Sequence, residues 1–403
     1  MSKARQLADL LDSNGDVVVG ALDNVPPSND ASALTTGTLD AARIADGSVA
    51  NAKLASDLDA SKVTTGTLPV DRVPYLGRRN LIINGAMQVA QRGTSFSGIT
   101  NSGSKYTLDR FRVAEGGTTD GVVTASQSTD APDEFGSSLK LEVTTAQSSV
   151  SSTHNFRIEQ RLEGQNLQSL ASGTSSAKNF TLSFWVKSSV TGTYAVSFYN
   201  IDSLRIIGAT YTINSANTWE KKTLTFAGDT VGTYDNDNGY SLLLTFALET
   251  GTDLKSTDNS SWINYVSTAY QYGQEVDWLT NAGATFYITG VQLEVGSVAT
   301  PFEHRSYGEE LALCQRYCET VHNYGDGLVT NNLILSSTYA TTSATVHIWF
   351  KTPKRTSNPD LTYTQAGDGG TASLYGKSGD YFSLYSASDT AFYLYDILVE
   401  DEL

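Results

Sequence analysis

From residue 34 to residue 73 the large apolar residues return at a near-constant interval: Leu34, Leu39, Ile44, Val49, Leu54, Leu58, Val63, Leu68 and Val73, every step five residues except one of four. Two residues before each stands a small one (Ser32, Gly37, Ala42, Gly47, Ala52, Ser56, Ser61, Gly66), with Asp71 the exception. A period of five rules out an unbroken helix, whose apolar stripe would drift by about 140° per step. It also rules out an unbroken strand, in which an odd step flips the face. The chain must therefore turn once per repeat, each unit placing one small and one large residue inward before a corner with Thr-Gly or Asp-Gly turn chemistry. Longer echoes support a true repeat: Thr35-Thr36-Gly37-Thr38-Leu39 returns as Thr64-Thr65-Gly66-Thr67-Leu68.

One large apolar residue in five buries too little to offset an ordering cost of about 1–2 kcal/mol per residue, so a single copy of this segment does not build its own core. Three arrangements remain open: three chains wound about one axis, a single-chain square coil, and a linker without regular structure. The first is the expectation, because three copies bring their apolar residues together and cover one another's edges.

The remainder of the 403 residues reads as β-structure. Charged residues make up 17% and aromatics 10%, most of them tyrosine, with Thr, Ser and Gly abundant, a balance that favours strands and turns. The formal charge of -16 argues against nucleic acid and against an anionic membrane, both of which call for clustered Lys and Arg. No stretch approaches the ~20 apolar residues of a spanning helix, so a soluble protein without a Sec-type signal is expected. The two cysteines, Cys314 and Cys318, supply no disulfide framework.

Four parts follow along the chain. Residues 1–30 open with a short amphipathic helix carrying Leu7, Leu10 and Leu11, assigned to attachment, and 31–75 form the repeat shaft. Residues 76–306 alternate in the manner of a jelly-roll β-sandwich, most clearly where Phe180, Leu182, Phe184 and Val186 interleave with Thr181, Ser183, Trp185 and Lys187. Further strands are expected over 139–143, 156–160, 193–199, 219–226, 241–248 and 286–293. Residues 307–403 begin with a helix of about four turns through Leu311, Cys314, Cys318 and Val321, and end in a small β-domain with strands over 328–336, 341–350, 361–364, 381–385 and 391–399.

Several segments resemble tail fibres of tailed bacteriophages. They are Asn80-Leu81-Ile82-Ile83-Asn84-Gly85-Ala86-Met87 running on to Gly93, Tyr106-Thr107-Leu108-Asp109-Arg110-Phe111, Ile288-Thr289-Gly290-Val291-Gln292-Leu293-Glu294, Pro301-Phe302-Glu303-His304-Arg305 and Leu311-Ala312-Leu313-Cys314-Gln315-Arg316-Tyr317-Cys318. In addition, Thr181-Leu182-Ser183-Phe184-Trp185-Val186-Lys187 and Thr218-Trp219-Glu220-Lys221 are similar to strands of jelly-roll carbohydrate-binding modules. The resemblance implies an elongated homotrimer of the virion tail fibre, joined to a tail or baseplate protein near residues 1–30 and gripping a host-surface saccharide or receptor without catalysis. Two other classes stay open: a structural adaptor carrying another receptor-binding protein, and a polysaccharide depolymerase with a carboxylate pair at a subunit seam.

Sugar rings are held by aromatic faces with polar groups on the hydroxyls, so aromatics in long connections are the first candidates. Residues 262–278 hold Trp262, Tyr265, Tyr270, Tyr272 and Trp278 among polar neighbours, and Tyr375 is read as a loop residue of the terminal domain. The same rings could instead pack on the sandwich. No Gly-x-Ser-x-Gly elbow is present, and His154, His304, His322 and His347 are scattered. Cys314, Cys318 and His322 at i, i+4 and i+8 would share a helix face, read as a buried seam rather than a metal site. No cofactor is called for. A structural calcium ion is the one allowance, with the run Asp235-Asn236-Asp237-Asn238-Gly239 read as an ordinary turn.

Overall fold

The computed structural model describes residues 78–100, 104–117, 120–322, 333–335, 344–366, 373–386 and 392–402. The expected helix over residues 1–12 and the repeat shaft lie outside them. In chain order the strands are β1 Ser95–Ile99, β2 Lys105–Tyr106, β3 Arg112–Gly116, β4 Val122–Ser128, β5 Ser138–Thr145, β6 Asn155–Glu163, β7 Phe180–Ser188, β8 Gly192–Asn200, β9 Arg205–Ile213, β10 Glu220–Phe226, β11 Tyr240–Thr250, β12 Ile263–Asn264 and β13 Thr285–Val295. After helix α1, Tyr307–Gln315, come β14 Cys318–His322, β15 Leu333–Leu335, β16 Ala344–Trp349, β17 Asp360–Ala366, β18 Ser373–Lys377, β19 Tyr381–Ser386 and β20 Phe392–Glu400.

The first thirteen strands form two antiparallel sheets: six strands in the order β1-β4-β5-β13-β7-β10, and seven in the order β12-β9-β8-β11-β6-β3-β2. Alternation dictates how they meet. Phe180, Leu182, Phe184 and Val186 of the first sheet face Val196, Phe198, Leu244 and Phe246 of the second in one core, the β-sandwich that the sequence leads one to expect. Each fully buried Phe or Leu of this core contributes about 1.5–3 kcal/mol relative to an exposed one.

The segments that carry the fibre resemblance converge on one polar hub. The Asn80 side chain donates to Val291 O at 3.0 Å and accepts from the amides of Leu293 (3.0 Å) and Ile82 (2.9 Å), tying the chain entry to β13. Asn84 sits in the left-handed region at φ 61, and its amide reaches Val89 O and Asp109 O, both at 2.9 Å. A Cβ on Gly85 would stand 2.1 Å from Val291 O, and one on Gly290, at φ +61 in the β13 bulge, 2.7 Å from the Phe135 ring. Glycine is thus required at both positions. The Glu303 carboxylate accepts from the amides of Arg79 (3.0 Å) and Asn80 (2.8 Å), while Arg305 donates to Ile82 O at 3.2 Å.

Helix α1 grows from this hub. Ser306 caps it, its Oγ accepting from the Glu309 amide at 3.3 Å while Glu309 Oε2 accepts from the Ser306 amide at 2.9 Å. Ser306→Ala is expected to lower stability by about 1 kcal/mol, read as a shifted denaturant midpoint at unchanged slope. Cys314 and Tyr317 bury against Ile83 and Val89.

The helix is shorter than its spacing predicts. It ends at Gln315, and Cys318 and Val321 belong to β14, which pairs with β20 through Cys318↔Glu400 and Thr320↔Leu398. The helical seam of Cys314, Cys318 and His322 therefore does not form. Burial pushes both thiols well up, leaving them as neutral packing groups.

Beyond α1, β20 pairs with β14, β15 and β17, and β16, β19 and β18 form a second small sheet. Arg92 joins this region to the sandwich through Glu400 (2.7 Å) and Glu402 (3.0 Å), and buried Arg110 lies 3.5 Å over the Tyr317 ring while pairing with Glu402. Lys354 is buried with Glu319, donating to its carboxylate at 2.6 Å and to Gln315 O.

Candidate functional site

On β6 the residues Phe156, Ile158 and Leu162 enter the core, so Arg157, Glu159 and Arg161 point from the other side of the sheet. Strand register extends that outer face into rows. One runs Gly208, Ser197, Thr245, Glu159, Arg112, and the next Ile206, Tyr199, Leu243, Arg161. Glu159 is fully buried at the centre: Arg112 pairs with it, Arg157 Nε lies at 3.0 Å and Arg161 at 3.6 Å.

The connection after β11 lies across part of this face. Its own amides pin it: Asn259 donates to Ala269 O at 2.8 Å, Gln274 to Leu248 O at 3.1 Å and to Val276 O at 2.8 Å, and the Gln274 oxygen accepts from the Ala195 amide at 2.7 Å. The connection sets Tyr265 beside Tyr199, ring centroids 4.4 Å apart, and Tyr270 edge-on to Tyr265 at 6.3 Å. Arg157 lies 5.5 Å over the Tyr270 ring, and Arg161 4.9 Å over Tyr240. Burial, the largest cause, raises the phenols of Tyr199, Tyr240, Tyr265 and Tyr270, so they stay protonated donors at neutral pH. The result is a face of tyrosine rings, guanidiniums and one carboxylate, with the chemistry to stack on and hydrogen-bond a polar ring.

Of the residues expected from sequence, Tyr265 and Tyr270 enter this cluster, Tyr270 largely buried at its floor. Tyr272, 37% exposed, stands on the same connection. Trp262 is half-buried against the sandwich core, its indole donating to Ala227 O at 2.7 Å. Trp278 is a correction. It is fully buried and stacked on Phe156, centroids 6.0 Å apart, so it is a core residue with no face for a ligand. Tyr375 is also corrected: it lies within β18 rather than a loop. The run over 235–239 is an exposed turn in which the Asp237 carboxylate accepts the Gly239 amide at 2.8 Å. Among the described residues no group of three or more His, Cys, Asp or Glu is placed to hold a metal ion.

Sequence reasoning missed Tyr199, Tyr240 and the three arginines. Their signal was present as period two: Arg157, Glu159 and Arg161 alternate with Phe156, Ile158 and Leu162, and Tyr199 is out of phase with Val196 and Phe198.

No protein-family model matches the chain, and no curated protein matches its sequence. Among solved structures it is similar to the enzymatically active domain of tailspike protein 4 from bacteriophage CBA120, at 16% identity over 54% of this chain and 21% of that one, TM-score 0.29. The chain thus spans about a fifth of the length of that tailspike. It is also similar to a putative sugar binding protein from Bacteroides thetaiotaomicron, at 14% identity over 54% of this chain and all of that one, TM-score 0.31. A family 11 carbohydrate-binding module from Clostridium thermocellum aligns at 11% identity over 51% of this chain and 98% of that one, TM-score 0.26.

Proposed function

We propose that this chain is a receptor-binding tail fibre of a tailed bacteriophage that attaches the virion to its host by binding a surface saccharide, without catalysis. The observation that carries the reading is the cluster of half-buried Tyr199, Tyr240 and Tyr265 around buried Tyr270, with Arg157 and Arg161, on the outer face of the seven-stranded sheet. Ring faces and guanidiniums at this spacing suit a sugar's apolar face and its hydroxyls together. Glu159, the carboxylate at the centre, is committed to three guanidiniums, which supports binding rather than acid-base work. The motif order read from the sequence supports the fibre assignment, and the repeat over residues 34–73 supports a homotrimer. In a trimer, weak individual contacts multiply through effective concentration.

A glycan-binding screen with the full chain tests the site. Tyr199 and Tyr265 each contribute about 1 kcal/mol or more through ring contact, so the double replacement by alanine is expected to weaken binding roughly ten- to hundredfold. Folded double variants that bind like the parent would remove this face from the reading. A reducing-end assay on any polysaccharide bound tests the non-catalytic part, and release of new ends would overturn it.

A further inference from the structure

The proposed saccharide face carries more positive charge than its own carboxylate cancels, in a chain with 43 acidic and 27 basic residues. Arg112, Arg157 and Arg161 converge on the single buried Glu159, and their side chains keep 20%, 14% and 25% exposure. Neighbouring carboxylates are engaged elsewhere: Glu163 pairs with Arg316 at 2.8 Å, and Glu402 with Arg92 and Arg110. Arg157 also donates to Asn155, so the cluster is more than an ion pair, and three guanidiniums against one carboxylate leave it with a net positive charge. In the same row as Glu159 and Arg112, the Ser197 hydroxyl is 1% exposed and has no hydrogen-bond partner among the described residues. It is a buried polar group on the floor of this face.

Resting on the saccharide reading above, we propose that the ligand is an acidic saccharide, whose carboxylate or phosphate is gripped by Arg112 and Arg161 while its ring lies against the tyrosines. Guanidinium forks match both oxyanions bidentately, which is the shared chemistry of the two sources. The net charge of -16 does not prevent this. At physiological salt the Debye length is about 8 Å, so distant surface carboxylates are screened while the three local guanidiniums act at contact.

The test is calorimetric titration of the full chain with a panel of acidic bacterial polysaccharides, some bearing uronates and some bearing phosphates. Each is run beside its carboxyl-reduced or dephosphorylated counterpart. The expected result is at least tenfold tighter binding of an acidic form than of its neutral counterpart, weakened by added salt; the arm that responds identifies carboxylate or phosphate. Arg161→Ala should lose at least tenfold. Glu159→Gln, which keeps the volume and removes the competing charge, should hold or tighten the acidic ligand, an outcome that a purely structural role for the cluster would not produce. Thermal melts confirm that each variant is folded. Equal binding of charged and neutral forms, or loss in folded Glu159→Gln as large as in Arg161→Ala, would overturn the proposal. Binding of neutral glycans alone sinks this inference and leaves the saccharide reading standing, whereas no binding to any saccharide sinks both.

Discussion

Trp278→Ala is expected to lower the unfolding free energy by about 3–5 kcal/mol, a large share of the roughly 5–15 kcal/mol that holds a typical folded domain. Two terms add to this. The indole is fully buried and stacked on Phe156, interplanar angle 13°, so its removal forfeits transfer energy and leaves a cavity that packed neighbours fill only in part. Its N–H also donates to Thr285 O at 3.4 Å, a long bond that adds little. Chemical denaturation should show a lower midpoint, with glycan affinity per folded molecule unchanged. A Trp278→Ala protein of parental stability that had lost glycan binding would instead return this residue to the ligand site.

The second large effect is a pH dependence centred on His154. Its imidazole is fully buried, with Nδ1 3.0 Å from Glu249 and Nε2 3.5 Å from Glu115, both side chains buried. Three neighbouring strand segments are stapled here, since Glu115 lies in β3, His154 immediately precedes β6 and Glu249 lies in β11. Burial alone would lower the imidazole pKa, but the two carboxylates outweigh it and raise it to about 9. Because the folded value exceeds the unfolded value of about 6.5, the stabilisation is fully present below about pH 6.5 and is lost as pH rises through about 9. A shift of that size corresponds to about 3 kcal/mol. His154→Leu strands two buried carboxylates without a counter-charge and should cost about 3–5 kcal/mol at pH 6. Urea unfolding of the parent and of His154→Gln between pH 6 and pH 9.5 checks the sign. The parent should lose its advantage over the variant as pH rises, and a constant difference across that range would mean that folding leaves the imidazole pKa unshifted.

Much of the sandwich was legible because burial on one face leaves a period of two. Phe180 to Val186 and Phe286 to Leu293 were read as strands for that reason, and the structure pairs the two within one sheet. Strand β9 was not read. Ile206 and Ile207 are both buried, one under the connection after β11 and the other in the core, so the alternation is erased there. The helix over 307–321 was read too long because Cys318 and Val321 continue a helical spacing, yet pairing with β20 draws that stretch into a sheet. Tertiary context outweighs local propensity in such a case. The fibre-like segments were visible individually, but their assembly through Asn80, Asn84 and Glu303 was not.

The candidate site was legible only in half. Tyr265 and Tyr270 stood out as aromatics in a long connection, and so did Trp278, because a ring among polar neighbours reads the same whether it faces solvent or core. Local alternation is a property of adjacent residues, and it alone determined which residues of each strand are apolar and that such strands must pair face to face. The rows that set Arg112 beside Glu159 and Tyr199 in line with Arg161 join residues tens of positions apart. Strand pairing, and the connection folded over it, decided them, since a shift of one residue in any partner would have turned the same side chains into the core.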